Sequence, residues 1–192
     1  MSGLEGFRHD ESGFSPAFFL AGNLWQVGLE QLDALEHLVK STNKPARICI
    51  FESPTSALQT MLIVQAKGMD SRPRMLQTKP KIFIPVRGPL LLIKMHRNGE
   101  VSLREILVPG RDLAANVAAG EPYIDLPLDD LTSHLEITLG PHDRVGDRNF
   151  PPFKWDTGPE SRAVWRDAQV RLALQAHENR KQESPRKQHP IS

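Results

Sequence analysis

His134 and Glu136 alternate along the apolar stretch Ser133–Leu139, so on an extended strand both side chains point to one face. Imidazole nitrogen and carboxylate oxygen are both good donors for a divalent cation, and Cys49 or His142 would complete such a set. The same alternation arises wherever a strand buries a polar pair, so the metal reading and the structural reading both stay open. Cys49 lies in the apolar run Ile48–Phe51, where a buried, inert thiol is expected. It is the only cysteine, which excludes an intramolecular disulfide and any zinc site built on cysteine pairs. No Ser or Cys stands at a spacing from a His that would mark a nucleophile and its base. In the basic tail, Arg180, Lys181, Arg186 and Lys187 are relieved by Glu178 and Glu183, the pattern of a solvated segment that an acidic partner could touch.

Short extended elements would have to position these groups. Glycines and prolines punctuate the chain from Pro45 to Pro159, and the segments between them read as strands: 46–51, 56–67, 81–86, 89–95, 101–108, 116–118, 123–126 and 133–139. His96–Gly99, between two apolar runs, predicts a hairpin whose Asn98-Gly99 pair takes positive φ angles. Many short strands of this kind argue for an all-β sandwich or barrel. Two helices flank it. Residues 23–40 carry Leu24, Val27, Leu32, Leu35 and Val39 at helical spacing, with Asn23 as the expected N-cap. Residues 160–176 predict a second helix with Val164, Ala168, Arg171, Leu172 and Gln175 on a mixed face. The expected division is a flexible 1–15, a helical extension 16–45, a barrel 46–158, a helix 159–177 and a disordered tail 178–192.

Composition limits the function classes. Lys and Arg number 24 against 23 Asp and Glu, a net charge of +1, which gives no support to a nucleic-acid binder that works through phosphate contacts. No apolar run approaches the roughly 20 residues that span a bilayer, and the N-terminal residues do not read as a signal peptide. The expectation is a cytoplasmic, reduced, single-domain protein without membrane or nucleic-acid partners.

The stretch Gly68–Val101 resembles the first motif of a cupin, and more closely the WbuC-type cupins found with bacterial surface-polysaccharide genes. The framing glycines of that motif fall on Gly68 and Gly88, its Arg-Pro on Arg72 and Pro73, and its closing tripeptide on Val86, Arg87 and Gly88. The second cupin motif falls on Ala118, Gly120 and Tyr123, while 139–143 and 147–151 are similar to two segments that follow the last strand of WbuC-type proteins. The resemblance covers about residues 46–155. It implies a double-stranded β-helix, a jelly-roll-like barrel with a pocket at one end.

The resemblance also locates where a cupin's four metal ligands would stand, and this chain has Arg74, Leu76, Lys81 and Tyr123 there. Arg has no lone pair to give, Leu has no donor atom and Lys is normally protonated. A further histidine of WbuC-type proteins is Thr78 here. The expectation is therefore no metal, no other cofactor and no metal-dependent chemistry. Two readings of the replaced pocket follow. In one, Arg74 and Lys81 bind a small anionic group, such as phosphate or carboxylate, with Tyr123 and Gln77 supplying orienting hydrogen bonds. In the other, Leu76 plugs the pocket while Arg74 and Lys81 pair with acids such as Asp125 or Glu136. For function, the first expectation is a non-catalytic module binding a partner protein, a second copy as a homodimer, or a small anion. The resemblance ties it to surface-polysaccharide or sugar-nucleotide metabolism. The alternative is a metal-independent isomerase- or epimerase-like enzyme acting on a sugar nucleotide or small acid, with Tyr123 as general acid/base. The segment 150–155 is expected to strap the barrel end.

Overall fold

The computed structural model describes residues 3–10, 15–21, 26–141 and 148–183. Asn23, Leu24 and His142 lie outside them. In chain order the elements are β1 (Phe7–Asp10), β2 (Ala17–Leu20), α1 (Leu29–Thr42), β3 (Ala46–Cys49), β4 (Leu58–Ala66), β5 (Met75–Leu76), β6 (Lys81–Arg87), β7 (Leu90–Met95), β8 (Val101–Leu107), β9 (Ala115–Val117), β10 (Tyr123–Pro127), β11 (Leu131–Leu139), β12 (Arg148–Asn149) and α2 (Pro159–Glu183). Each of the eight segments expected as strands overlaps one of β3, β4 and β6 to β11, while β1, β2, β5 and β12 were not expected.

The strand order is that of a jelly roll. One sheet runs β1-β2-β3-β4-β11-β6-β9, a second β10-β7-β8, and β5 pairs separately with β12. An Arg74–Tyr123 bridge hangs the segment leading into β5 on β10. Counting β4 to β11 as barrel strands one to eight, the orders are 1-8-3-6 and 2-7-4-5, which is the double Greek key that cupins share. Gly88 sits at the tight turn between β6 and β7 with φ +71°, and a Cβ there would stand 2.7 Å from the Leu131 carbonyl oxygen, so the turn requires glycine. At the β7–β8 hairpin only Gly99 takes a positive φ (+90°); Asn98 does not. The turn is thus present without the doubly left-handed pair, and the ladder absorbs the difference in a register shift between Lys94 and Met95.

Three expectations at the chain ends are corrected. The helix expected over 23–40 is Leu29–Thr42, with Gly28 as N-cap, its N–H donating to Gln31 Oε1 at 2.8 Å, and Asn43 in the left-handed region at its end. Ahead of it the chain is not a plain helical extension: β1 and β2 pair antiparallel and β2 pairs with β3 in parallel, because Ala17, Phe18 and Phe19 are buried there. The C-terminal helix runs to Glu183 and turns a different face inward from the one predicted. Val164 is 71% exposed and Leu172 48%, while Trp165 stacks on Trp155 with centroids 4.1 Å apart, and Ala173 is buried. Charge anchors this face as well: Arg162 donates to Asp70 (2.9 and 2.5 Å) and Asp156 (2.8 Å), and Arg166 to the Met69 carbonyl (2.9 Å).

Each sheet is covered from outside. α1 lays Leu32, Leu35, Leu38 and Val39 on Ile48, Leu62 and Val64 of the larger sheet. α2 covers Leu91, Ile93, Ile106 and Ile124 on the outer face of the smaller one, together with Phe153 and Trp155, so the 150–155 segment is a strap over that face. Between the sheets lie Phe83, Leu90, Leu92, Leu107, Val117 and Tyr123. No helix among the described residues is long and apolar enough to cross a membrane.

Candidate functional site

Strand alternation delivers a set of polar groups to the space between the sheets. Lys81 and Phe83 on β6, Tyr123 and Asp125 on β10, and His134 and Glu136 on β11 all point inward, and Gln65 joins them from β4. Arg74 arrives through its two backbone hydrogen bonds with Tyr123, at 2.8 and 2.9 Å. Of the four residues that the cupin resemblance puts at ligand positions, Arg74, Lys81 and Tyr123 therefore share one interior. Leu76 does not plug it: the side chain is only half-buried and belongs to none of the apolar clusters among the described residues. Gln77 is exposed and lines a separate surface depression of about 370 Å3 with Arg97 and Phe150, so it cannot orient anything held by Arg74.

The interior is closed and its charges are matched. Asp125 and His134 are 0% exposed, Tyr123 1%, Glu136 2%, Lys81 6% and Arg74 9%. The Arg74 guanidinium is ion-paired to Asp125, donates to Glu136 Oε1 at 3.1 Å, and through Nε donates to the Tyr123 hydroxyl at 3.1 Å. The Lys81 ammonium is ion-paired to the other oxygen of Glu136. Gln65 Nε2 donates to Asp125 at 2.8 Å. The network is legible in part from sequence: Asp125 and Glu136 are the acids that the filled-pocket reading names. Gln65 is the member that reading misses, although a glutamine at an inward position after the apolar run 61–64 is the signal for it.

Proton affinities follow from this pairing. Burial alone would raise the Glu136 carboxyl, but the Lys81 ammonium and the Arg74 guanidinium outweigh it and hold the group well below the usual carboxylate range. Burial opposes the charge on Lys81 and on Arg74 too, and the facing carboxylates overcome it, so both pKa values are raised. Arg74, Lys81 and Glu136 are thus each held in the charged form. His134 stands beside them with Nε2 3.6 Å from Glu136 and 3.9 Å from Asp125, beyond hydrogen-bond distance, and neither ring nitrogen has a hydrogen-bond partner.

The same residues include a set that reaches for a cation: ligand atoms of Asp125, His134 and Glu136 lie within 4.8 Å of one another. The anticipated His134–Glu136 pair is therefore real as geometry, with Asp125 as third member. Cys49 lies elsewhere, among Ala17, Phe19 and Phe51, and burial pushes its thiol up to about 11. Charge, however, argues against a metal ion. Arg74 and Lys81 already neutralise both carboxylates, and at about 4 Å each would repel a divalent ion by roughly 8 kcal/mol at an effective dielectric of 20. The donor set does not fit a resident metal while those two cations are in place.

No family model matches the chain, and no curated protein matches its sequence. Among solved structures it is similar to CapF, the capsular polysaccharide assembling protein of Staphylococcus aureus (15% identity, TM-score 0.47, 56% of this chain and 31% of that one). It is also similar to TT1209 of Thermus thermophilus (17%, 0.46, 60% and 97%) and to a cupin superfamily protein of Desulfitobacterium hafniense (16%, 0.41, 50% and 78%). The chain spans about a third of CapF's length, and 55% and 23% of two plant proteins it also matches, peruvianin-I and the 11S globulin procruciferin. The jelly roll itself rests on the strand order above.

Proposed function

We propose that this chain is a degenerate, non-catalytic cupin of the WbuC type, a barrel that works by binding at its surface rather than by chemistry inside it. The observation that carries this reading is the closed, charge-neutral network of Arg74, Lys81, Asp125 and Glu136 in the space where a cupin's metal would lie. An anionic ligand there would have to displace a carboxylate from each cation. The open depression between the free edges of β8 and β9, about 490 Å3, offers no unmatched charge either: its Lys94 pairs with Glu121 at 3.1 Å and its Arg111 with Asp112 at 2.6 Å. A cytoplasmic role in surface-polysaccharide or sugar-nucleotide metabolism rests on the WbuC resemblance alone.

Metal analysis of the purified protein tests the reading, with far less than one equivalent of Fe, Mn, Ni or Zn expected and no thermal shift on adding them. A stoichiometric metal retained through dialysis would overturn it. One observation favours the enzyme reading: the unpartnered His134 imidazole lies in the same interior as Tyr123, so a base and an acid are both at hand. Turnover of a sugar nucleotide that is lost in both Tyr123→Phe and His134→Gln would establish that alternative in place of ours.

A further inference from the structure

The fold takes Gln77 away from Arg74 and sets it beside Arg97 in the surface cleft of about 370 Å3 that Phe150 also lines. Segments far apart in sequence build this cleft, and each is pinned. The start of the strap lies on β5 through the pairs Arg148–Leu76 and Asn149–Met75. Further along, Phe153 fills the space that Gly99 leaves at the β7–β8 turn, where a Cβ would stand 2.7 Å from its ring. The turn after β9 is tied back by the Gly120 N–H, which donates to the Leu76 carbonyl at 2.7 Å. The cleft is therefore formed before anything enters it. Its volume falls at the low end of the range for small-molecule sites, about 300–1,000 Å3.

We infer that this cleft binds a small organic anion, with a carboxylate or phosphate held by Arg97 and an apolar ring laid against Phe150 and the prolines. Charge selects the head group. Among the described residues no carboxylate lines the cleft, and Arg97 is its one ionisable group, with neither an ion pair nor a side-chain hydrogen bond. Its neighbours are matched: Arg72 faces Asp156 at 3.8 Å, and Lys94 takes Glu121 at 3.1 Å. The Arg97 guanidinium does not stand off into water either. Its Nη2 lies 3.1 Å from where a Cβ on Gly120 would be, with the Gln77 carbonyl oxygen 3.7 Å from the same point. A planar guanidinium presents paired N–H donors to two oxygens of a carboxylate or a phosphate, and the Gln77 amide is a further donor on the same cleft. The rest of the lining selects the body. Met75 and Pro122 are buried, and Phe150, Pro151 and Pro152 complete the wall. None of these side chains has a strong donor or acceptor, and the Pro122 and Pro151 carbonyls are already bonded to the N–H groups of Met95 and Phe153, at 2.8 and 2.9 Å. This inference rests on the surface-binding reading above and gives it a site and a ligand class.

Proton–nitrogen NMR of the isotope-labelled full chain, titrated to about 20 mM with benzoate and with phenyl phosphate, is the test. The Arg97 Nε–H and Gln77 side-chain amide signals are expected to shift saturably. Half-saturation should fall in the low millimolar range that a ligand of about ten atoms supports. The probe that binds more tightly names the head group. Arg97→Met should weaken binding about tenfold or more with unchanged circular dichroism. If that variant fails to fold, Arg97→Lys, which keeps the charge and loses the planar fork, should still weaken it several-fold. Phe150→Ala should weaken phenyl phosphate and leave inorganic phosphate, the bare charge, as weak as before. No shift with either probe overturns the inference, as does binding that Arg97 variants leave unchanged, or inorganic phosphate binding as tightly as phenyl phosphate. Shifts at the Arg74 Nε–H in place of Arg97 would put the anion inside the barrel and overturn the surface-binding reading as well. Silence at both sites overturns only the cleft, since the metal analysis decides separately whether the interior is non-catalytic.

Discussion

Replacing Glu136 by Gln removes one negative charge from the barrel interior and almost no volume. Lys81 loses its only ion-pair partner among the described residues, Arg74 keeps only Asp125, and the closed network acquires a net positive charge. Breaking a buried pair by neutralising one member costs about 3–5 kcal/mol, because the orphaned charge has no water to turn to. At about 2–4 °C per kcal/mol for a chain of this size, the thermal midpoint should fall by roughly 6–20 °C. Lys81→Met combined with Glu136→Leu removes the charges together, leaves the Arg74–Asp125 pair, and should come back to within about 2 kcal/mol of the parent. The pH dependence carries its own sign. Glu136 has a folded-state pKa well below 4.5, so its contribution is fully present above that value and is lost as pH falls towards the folded-state pKa. The stability gap between the parent and Glu136→Gln should accordingly shrink below about pH 4.5. Denaturant titrations from pH 3 to 8 measure all of this. A cost under about 1 kcal/mol at pH 7, the value of a solvated pair, would refute the claim that the barrel is filled and dry.

Other outcomes follow from the same structure. Cys49, 1% exposed with a thiol pKa of about 11, should resist thiol reagents at pH 8 in the native state and react fully in denaturant; rapid native labelling would contradict its burial. Gly88→Ala forces a Cβ to 2.7 Å from the Leu131 carbonyl at φ +71° and should cost about 1–3 kcal/mol in chemical denaturation, whereas a neutral result would mean that the β6–β7 turn relaxes freely. On the lysine side, Lys81 has a raised folded-state pKa, so its contribution should hold at least up to about pH 10.5 and decline only above it.

Residue order alone was enough to place every strand of the barrel along the chain except the two-residue β5. Gly and Pro set their ends, alternation put His134 and Glu136 on one face, and the cupin resemblance grouped Arg74, Lys81 and Tyr123 before any contact was known. The cupin resemblance assigns Arg74, Leu76, Lys81 and Tyr123 to the ligand positions, and residue identity alone excludes lone-pair donors at Arg74 and Leu76. Pairing was another matter. Whether Arg74 and Lys81 would offer their charge to a ligand or spend it on Asp125 and Glu136 depends on groups about 50 to 60 residues away, brought within reach only when β10 and β11 close the two sheets. The helices show the same division. Helical periodicity located α2, but its own amphipathic pattern is weak, and Trp155 with Asp70 chose the buried face. The strands at Phe7–Asp10 and Ala17–Leu20 exist because β3 offers them an edge, and a four-residue run has no periodicity long enough to announce that. Local chemistry sets what each segment can be. Which charge is matched, and which apolar face is left bare, is decided by long-range neighbours.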